Sequence, residues 1–450
     1  MKQLPEYIEK GTEGKVYYLW KTLYRLKQSG CCWYQKLVNI LVHHLGFTYC
    51  YIDEAVFYWF IDEDFVVILV HIDNYTIGSN SIECIVHFKN SIQEHIEITD
   101  MGKLYWFLGL EITRNHELCT ISILQHSYID FILCRHNFDH LKPVSIPMDP
   151  SLKLSSAQCP STTAEIARMH NIPYYECVGE LIYVMISTCP DISYAVQTVS
   201  CFMHNPGLEY WQAVERIFCG IKNLWLIYGC NIINPELYAY GDTDSNVAED
   251  QHALSGYAVL LNGGAVSWST KKQEIVSLST TESEYIAATH IMKEVLWLWS
   301  LIHDIFGMTL DPTILYSDNK SAIELTKEHC YHARTKHIDI KYYFICWIIE
   351  EGQIKLVYCP TDEMIADTLT KALPSPKVKH FASALRLAYV WGGVLSRQTF
   401  ASPRWHNYDH LWSQYKVAIV HILETIVFTG CVLETLYYLL LLLYSENIYK

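Results

Sequence analysis

The sequence predicts an α+β region followed by an α/β region with a mixed sheet flanked by helices. Three observations carry this. Short β-rich runs meet at turn pairs in the first third, helix-like runs crowd the middle, and strands alternate with helices after residue 236. The 450 residues suggest two to four domains. With 51% hydrophobic and 18% charged residues, sizeable cores form and general disorder is excluded. The 33 Lys and Arg against 48 Asp and Glu leave a formal charge of −15. That excludes a histone-like basic binder but not a local basic patch.

In chain order, residues 33–45 read as a helix, and 56–60 and 65–72 as strands. Asp73-Asn74 reads as a turn pair, with strand character resuming at Tyr75. Residues 81–95 are helix-like, and 106–113 and 119–124 strand-like. The Pro- and Ser-rich stretch 139–172 reads as a connection. Helices are expected at 174–187, 191–204 and 210–227. Then come strands at 236–243, 256–261 and 265–269, the last two joined by Asn262-Gly263-Gly264, a hairpin signal. A long helix at 281–305 is followed by a strand at 313–317, helices at 319–327 and 338–351, a strand at 354–358 and a helix at 361–372. The expected domains are 1–140, 141–230, 231–375 and an unassigned apolar tail, 376–450.

The 16 cysteines contain no C-x-x-C pair, so zinc ribbons and redox motifs are unsupported. The first residues lack an apolar signal core, so a reducing intracellular setting is expected. Residues 417–444 are apolar, but Glu424 and Glu434 cut the stretch below the ~20 residues of a spanning helix. A membrane tether therefore depends on the tail alone.

Four acids fall where such a sheet presents chemistry: Asp242 closes the first strand of the later region, Glu284 starts the long helix, Asp318 closes the fourth strand, and Asp367 lies in the last helix. Crowded carboxylates repel one another unless cations neutralise them. An all-oxygen donor set suits Mg²⁺ or Mn²⁺, and a pair of such ions is the clamp used for phosphodiester cleavage. Any one of these acids taken singly is an ordinary solvated or capping residue; Asp318 before Asn319 could simply cap a helix.

The blocks YGDTDSN, SGYAVLLNGGAVSWSTKKQEIVSLSTTESEYIAAT, LYSDNKSAIELTKE, HARTKHIDIKYYFI and GQIKLVYCPTDEMIADTLTKAL, in that order, resemble the RNase H domain of copia-type LTR retrotransposon Pol polyproteins. Carried across position by position, the resemblance implies metal-binding acids at Asp242, Glu284, Asp318 and Asp367, with Asp244 and Glu282 weaker candidates. It implies two Mg²⁺ or Mn²⁺ ions and hydrolysis of the RNA strand of an RNA–DNA hybrid. The family's Asp-Ala-Asp-Trp is here Asp242-Thr243-Asp244-Ser245. His329, Cys330, His332 and His337 cluster like zinc ligands, but their spacing fits no familiar zinc pattern. Arg334, Lys336 and His337 are read as phosphate contacts or as a solvated basic helix start.

Upstream, LWKTLYRLKQSGCCWYQKL, VVILVHIDNYTIGSN, MGKLYWFLGLEI and STCPDISYAV resemble the same polyprotein's reverse transcriptase. Residues 1–140 are then an incomplete, truncated palm-like domain and 141–230 a helical thumb- or connection-like region. The family's early-strand Asp falls before Met1, and its Tyr-Val-Asp-Asp tip is here His71-Ile72-Asp73-Asn74. Lost polymerase activity is expected, with Asp73 and Asn74 a degenerate polymerase site. Arg25 replaces a family Gly, and Cys31 and Cys189 replace arginines, removing phosphate-binding capacity. Trp33, Tyr34, Tyr58, Trp59 and Trp106 are read as core rather than base-stacking residues. The alternative function is an inactive transposon relic, at most a weak nucleic-acid binder.

Overall fold

The computed structural model describes residues 10–12, 14–23, 25–115, 120–221, 224–229, 237–245, 251–261, 263–307, 311–327, 339–391 and 394–395. Two compact units emerge, Met1–Asp100 and Met101–Lys450. The division expected at 140 is thus drawn after Asp100. The tail beyond 395, residues 417–444 included, lies outside the described residues, as do Arg334, Lys336, His337 and the His329, Cys330, His332 group. No helix among the described residues is long and apolar enough to cross a membrane.

In the first unit α1 (Ser29–Val38) runs into a wider turn at Asn39–His44, then β1 (Thr48–Tyr49), β2 (Val56–Ile61), β3 (Asp64–His71), β4 (Asn74–Ser79) and α2 (Ile82–Gln93). The four strands form one sheet in sequential order, β1 antiparallel to β2, β2 to β3 and β3 to β4. Apolar residues at helical spacing on α1 and α2 face that sheet, so Leu37, Leu41, Phe57, Val66, Ile68, Phe88 and Ile92 make one core. Ser81 caps α2, its hydroxyl accepting from Cys84 N. Among the aromatics expected in cores, Tyr34 and Trp59 pack against this one, while Trp106 is 51% exposed.

Arg25 holds φ at +68°, in the left-handed region that glycine enters freely and other residues enter at a cost. The family's Gly at this position therefore has a physical reason. Arg25→Gly is expected to stabilise the first unit by about 0.5–1 kcal/mol, the relief of that strain less glycine's greater unfolded-state entropy. A denaturant titration followed by Trp33 fluorescence checks this; a lower midpoint would contradict it.

The second unit contains two sheets. One has the order β15-β14-β8-β7-β6-β5, built from β5 (Trp106–Phe107), β6 (Leu110–Asn115), β7 (Thr120–Leu124), β8 (Leu224–Gly229), β14 (Leu387–Trp391) and β15 (Val394–Leu395). Helices α3 (His126–Arg135), α4 (Thr163–Met169), α5 (Tyr174–Ser187), α6 (Ser193–Ser200) and α7 (Leu208–Gly220) lie between β7 and β8 in the chain. Four of them, α3, α5, α6 and α7, share a core that includes Ile132, Leu181, Val196, Tyr210 and Phe218. The helix expected over 210–227 stops at Gly220. Residues 224–229, buried almost throughout between β7 and β14, form β8 instead. A short continuous apolar run has no periodicity to tell strand from helix. The start of the supposed tail is also integrated: α12 (Ser375–Ala384) leads to β14, which pairs with β8.

The other sheet has the order β11-β10-β9-β12-β13, from β9 (Leu237–Asp244), β10 (Leu254–Leu261), β11 (Gly264–Lys272), β12 (Thr313–Ser317) and β13 (Ile354–Tyr358). Its first three strands run antiparallel, while β9, β12 and β13 are mutually parallel. The long helix α8 (Thr280–Phe306) packs on β9 and β10, and α9 (Lys320–Lys327) and α10 (Asp339–Glu350) follow β12. The helix expected over 361–372 reduces to a turn at Thr361–Glu363 and one turn of helix, α11 (Asp367–Thr370). Lys371 is extended, ending α11, and the β-branched Thr368 and Thr370 are buried, a poor context for a longer helix.

Candidate metal centre

The parallel pairing of β9 with β12 sets the site. Tyr240 lies opposite Tyr316, so two residues on, Asp242 and Asp318 fall at neighbouring strand ends. Gly241 lets α8 come close: a Cβ there would collide with the Ile291 side chain. Ser279 caps α8, accepting from Glu282 N at 3.2 Å, which places Glu284 one turn in and facing β9. Glu284 Oε1 accepts from Thr243 N (3.2 Å) and Thr243 Oγ1 (3.0 Å). Opposite Asp242 on β10 is Gly256, where a Cβ would stand 2.6 Å from Thr370 Cγ2 and 2.8 Å from Leu369 Cβ. Only a bare backbone lets α11 settle here and bring Asp367 alongside.

Asp242, Glu284 and Asp318 each offer a carboxylate oxygen, all within 4.8 Å of one another. Asp242 is 1% exposed, Asp367 2% and Glu284 7%, with Asp318 half-buried. Burial pushes Asp242 up to about 7, with Lys371 opposing the shift and Asp367 adding to it. Burial pushes Glu284 up to about 8, and the charges of Asp242 and Asp318 add to it. Asp367 is also raised, by burial first, against the pull of Lys371. This is the electrostatics of a site short of positive charge. Three clustered oxygen donors fit a hard divalent cation.

Three of the four sequence-predicted acids, Asp242, Glu284 and Asp318, come within mutual reach, and Asp367 is joined to Asp242 through Lys371. The two weaker candidates do not join the three-carboxylate cluster. Glu282 Oε2 accepts from Leu278 N at 2.7 Å and so tethers the start of α8, and Asp244 lies in electrostatic reach of Tyr194. Asp318 does not cap α9; Asn319 does, its Oδ1 accepting from Ala322 N at 3.0 Å. Instead Asp318 Oδ2 accepts from Thr361 Oγ1 at 3.0 Å.

Two participants escaped sequence reading. Thr370, fully buried, donates its hydroxyl to Asp242 Oδ2. Lys371 places Nζ 3.1 Å from Asp242 Oδ2 and 2.9 Å from Asp367 Oδ1. The i,i+4 spacing of Asp367 and Lys371 was the available signal. A second cluster, His136, Cys177 and Glu180, is an ion-pair network: Glu180 already accepts from His136 Nε2 (2.7 Å) and Arg135 Nη1 (2.9 Å).

In the first unit, β3 and β4 pair His71 with Asn74, so the two loop residues are Ile72 and Asp73, not the expected Asp73-Asn74. Ile72 takes φ +58°, a costly position for a β-branched residue, and Trp33 Nε1 donates to its carbonyl at 2.7 Å. Asp73 is exposed at the tip. Cys189 is wholly buried. Two residues on, Asp191 is buried with Oδ1 unpartnered and pushed by burial up to about 6.

A five-stranded mixed sheet in this order, with carboxylates gathered at the ends of its parallel strands, defines an RNase H-like fold. A family model described as reverse transcriptase (RNA-dependent DNA polymerase) matches residues 1–150. The chain is 36% identical over 382 residues to the retrovirus-related Pol polyprotein from transposon TNT 1-94 of Nicotiana tabacum, covering 84% of this chain and 28% of that one. It is 34% identical over 396 residues to the corresponding polyprotein from transposon RE1 of Arabidopsis thaliana, covering 87% and 26%. The chain belongs to the copia-type retrotransposon Pol polyproteins, and it spans about a quarter of the length of these curated relatives. Among solved structures, the RNase H1 LC11 isolated from compost matches 30% of this chain and 93% of its own at 16% identity and a TM-score of 0.25.

Proposed function

We propose that residues 231–375 form a divalent-metal-dependent nuclease that hydrolyses the RNA strand of RNA–DNA hybrids. The observation that carries this is the convergence of Asp242, Glu284 and Asp318 within 4.8 Å, two of them buried and raised first by that burial. An ion bound to these oxygens would supply Lewis-acid stabilisation of the phosphorane-like transition state and a more acidic bound water. The chain's own residues do the rest. Thr243 orients Glu284 and Thr361 orients Asp318, so each presents a fixed oxygen. Thr370 donates its hydroxyl to Asp242 Oδ2 and holds that carboxylate in place. The products are a 3′-hydroxyl and a 5′-phosphate, as the resemblance implies, and hybrid selection rests on groove shape and 2′-hydroxyl contacts. Arg334, Lys336 and His337 are proposed phosphate contacts.

The test is cleavage of a labelled hybrid by the full chain with Mg²⁺, with Asp318→Asn abolishing it. Salt-sensitive binding without cleavage supports the weak-binder alternative instead.

The polymerase-like half is proposed to be inactive. Its hairpin presents one exposed Asp beside a neutral Asn, and polymerases of this kind use carboxylates to hold two ions. Purified protein is expected to show no primer extension on an RNA or DNA template, and measurable extension would refute this.

A further inference from the structure

The nuclease reading leaves open what balances Asp367. The three carboxylates within mutual reach are Asp242, Glu284 and Asp318; Asp367 stands beside them but is not part of that cluster. A second ion would have to lie between Asp242 and Asp367, and that place has a resident. Lys371 Nζ is 3.1 Å from one carboxylate and 2.9 Å from the other. The lysine is held there by construction. α11 ends at Thr370, the chain becomes extended at Lys371, and Thr370 pins the same Asp242 oxygen that Lys371 contacts. The packing of α11 over Gly256 fixes the whole turn. The two carboxylates are 2% and 3% exposed, so the ammonium faces them with little water to screen it.

We propose that Lys371 is a tethered counter-cation occupying the position of a second metal ion, so that the resting centre binds one divalent ion through Asp242, Glu284 and Asp318. This deepens the nuclease reading and rests on it. An ammonium and a divalent cation cannot share the space between Asp242 and Asp367: they repel, and both need the same oxygens. Lys371 acts as a positioning residue for the acids. One divalent ion and one ammonium leave a single formal negative charge on the four carboxylates, against none with two ions.

The experiment counts Mn²⁺ bound to the full chain by calorimetry and electron paramagnetic resonance, taking only ions lost in Asp242→Asn, the acid common to both positions, as site ions. Wild type is expected to bind one. Lys371→Met is expected to bind two, the second entering where the ammonium stood, and Lys371→Arg to bind one. Should Lys371→Met fail to fold, wild type and Lys371→Arg still decide the matter by their counts. Two site ions in wild type, or one in a folded Lys371→Met, overturn the lysine assignment and leave the nuclease reading standing. No site ion in wild type, together with no hybrid cleavage, overturns both.

Discussion

Glu284→Gln is expected to cut hybrid cleavage by about 10³-fold while making the metal-free protein more stable. The two effects share one cause. Glu284 is 7% exposed and faces Asp242 and Asp318, and its carboxyl is pushed up to about 8 by burial and by those charges. At pH 7 the folded chain keeps this carboxyl largely protonated while the unfolded chain ionises it, a difference that costs stability on the order of 3 kcal/mol. Glutamine has the same shape without that cost. Its carbonyl oxygen keeps both bonds from Thr243, at 3.2 Å to N and 3.0 Å to Oγ1, so little is left unsatisfied. What it loses is the charge that attracts a divalent ion.

The stability readout is amide hydrogen exchange on β9 and α8 in EDTA, which reports this unit rather than the chain as a whole. A glutamate kept only for structure would give the reverse pattern, with Glu284→Gln loosening α8 and leaving cleavage untouched. A variant that cleaves at the wild-type rate removes Glu284 from the site.

Which parts of this were legible beforehand follows from the range of the interactions. β12 and β13 were placed to the residue because each is a short apolar run between clear turn signals. The meeting of Asp242 and Asp318 was legible only on the condition that the first and fourth strands are neighbours, which the parallel pairing of β9 with β12 meets. Lys371 was not legible as a partner of Asp242, because the contact spans 129 positions and depends on Gly256 admitting α11. The strand β8 was misread because its two covering partners, β7 and β14, lie about a hundred or more residues away, and burial on both faces erases alternation. The hairpin tip was shifted by one residue because the loop uses a left-handed Ile72, a choice local propensity argues against.

Raising the pH from 5 to 8 is expected to destabilise the metal-free second unit, on the order of 5 kcal/mol in all, with Mg²⁺ restoring only part of it. Asp191 at about 6, Asp242 at about 7 and Glu284 at about 8 dominate the window, each raised first by burial, and Asp367 and Glu294, raised the same way, add in the same sense. Their unfolded-state values lie near 4, so below about pH 4 both states hold the protons and the contribution is fully present. Between there and the folded values the unfolded chain releases protons that the folded chain keeps, and stability falls. It levels off above about pH 8, where both states are ionised. His290, pushed down by burial, acts in the opposite sense below about pH 6.5. Asp149, Glu165, Glu274 and Asp362 are lowered but lie at the surface, where their slopes fall below the window. Mg²⁺ relieves Asp242 and Glu284 by giving their charges a partner, and it does nothing for Asp191, which sits in the helical part beside Cys189. Hydrogen exchange at pH 5 and 8, with and without Mg²⁺, therefore separates the two origins. Asp191→Asn should remove the Mg²⁺-insensitive share and leave the rest. A stability that rises with pH in EDTA, or one that Mg²⁺ does not change at pH 8, would mean that these carboxylates do not form a shared cation pocket.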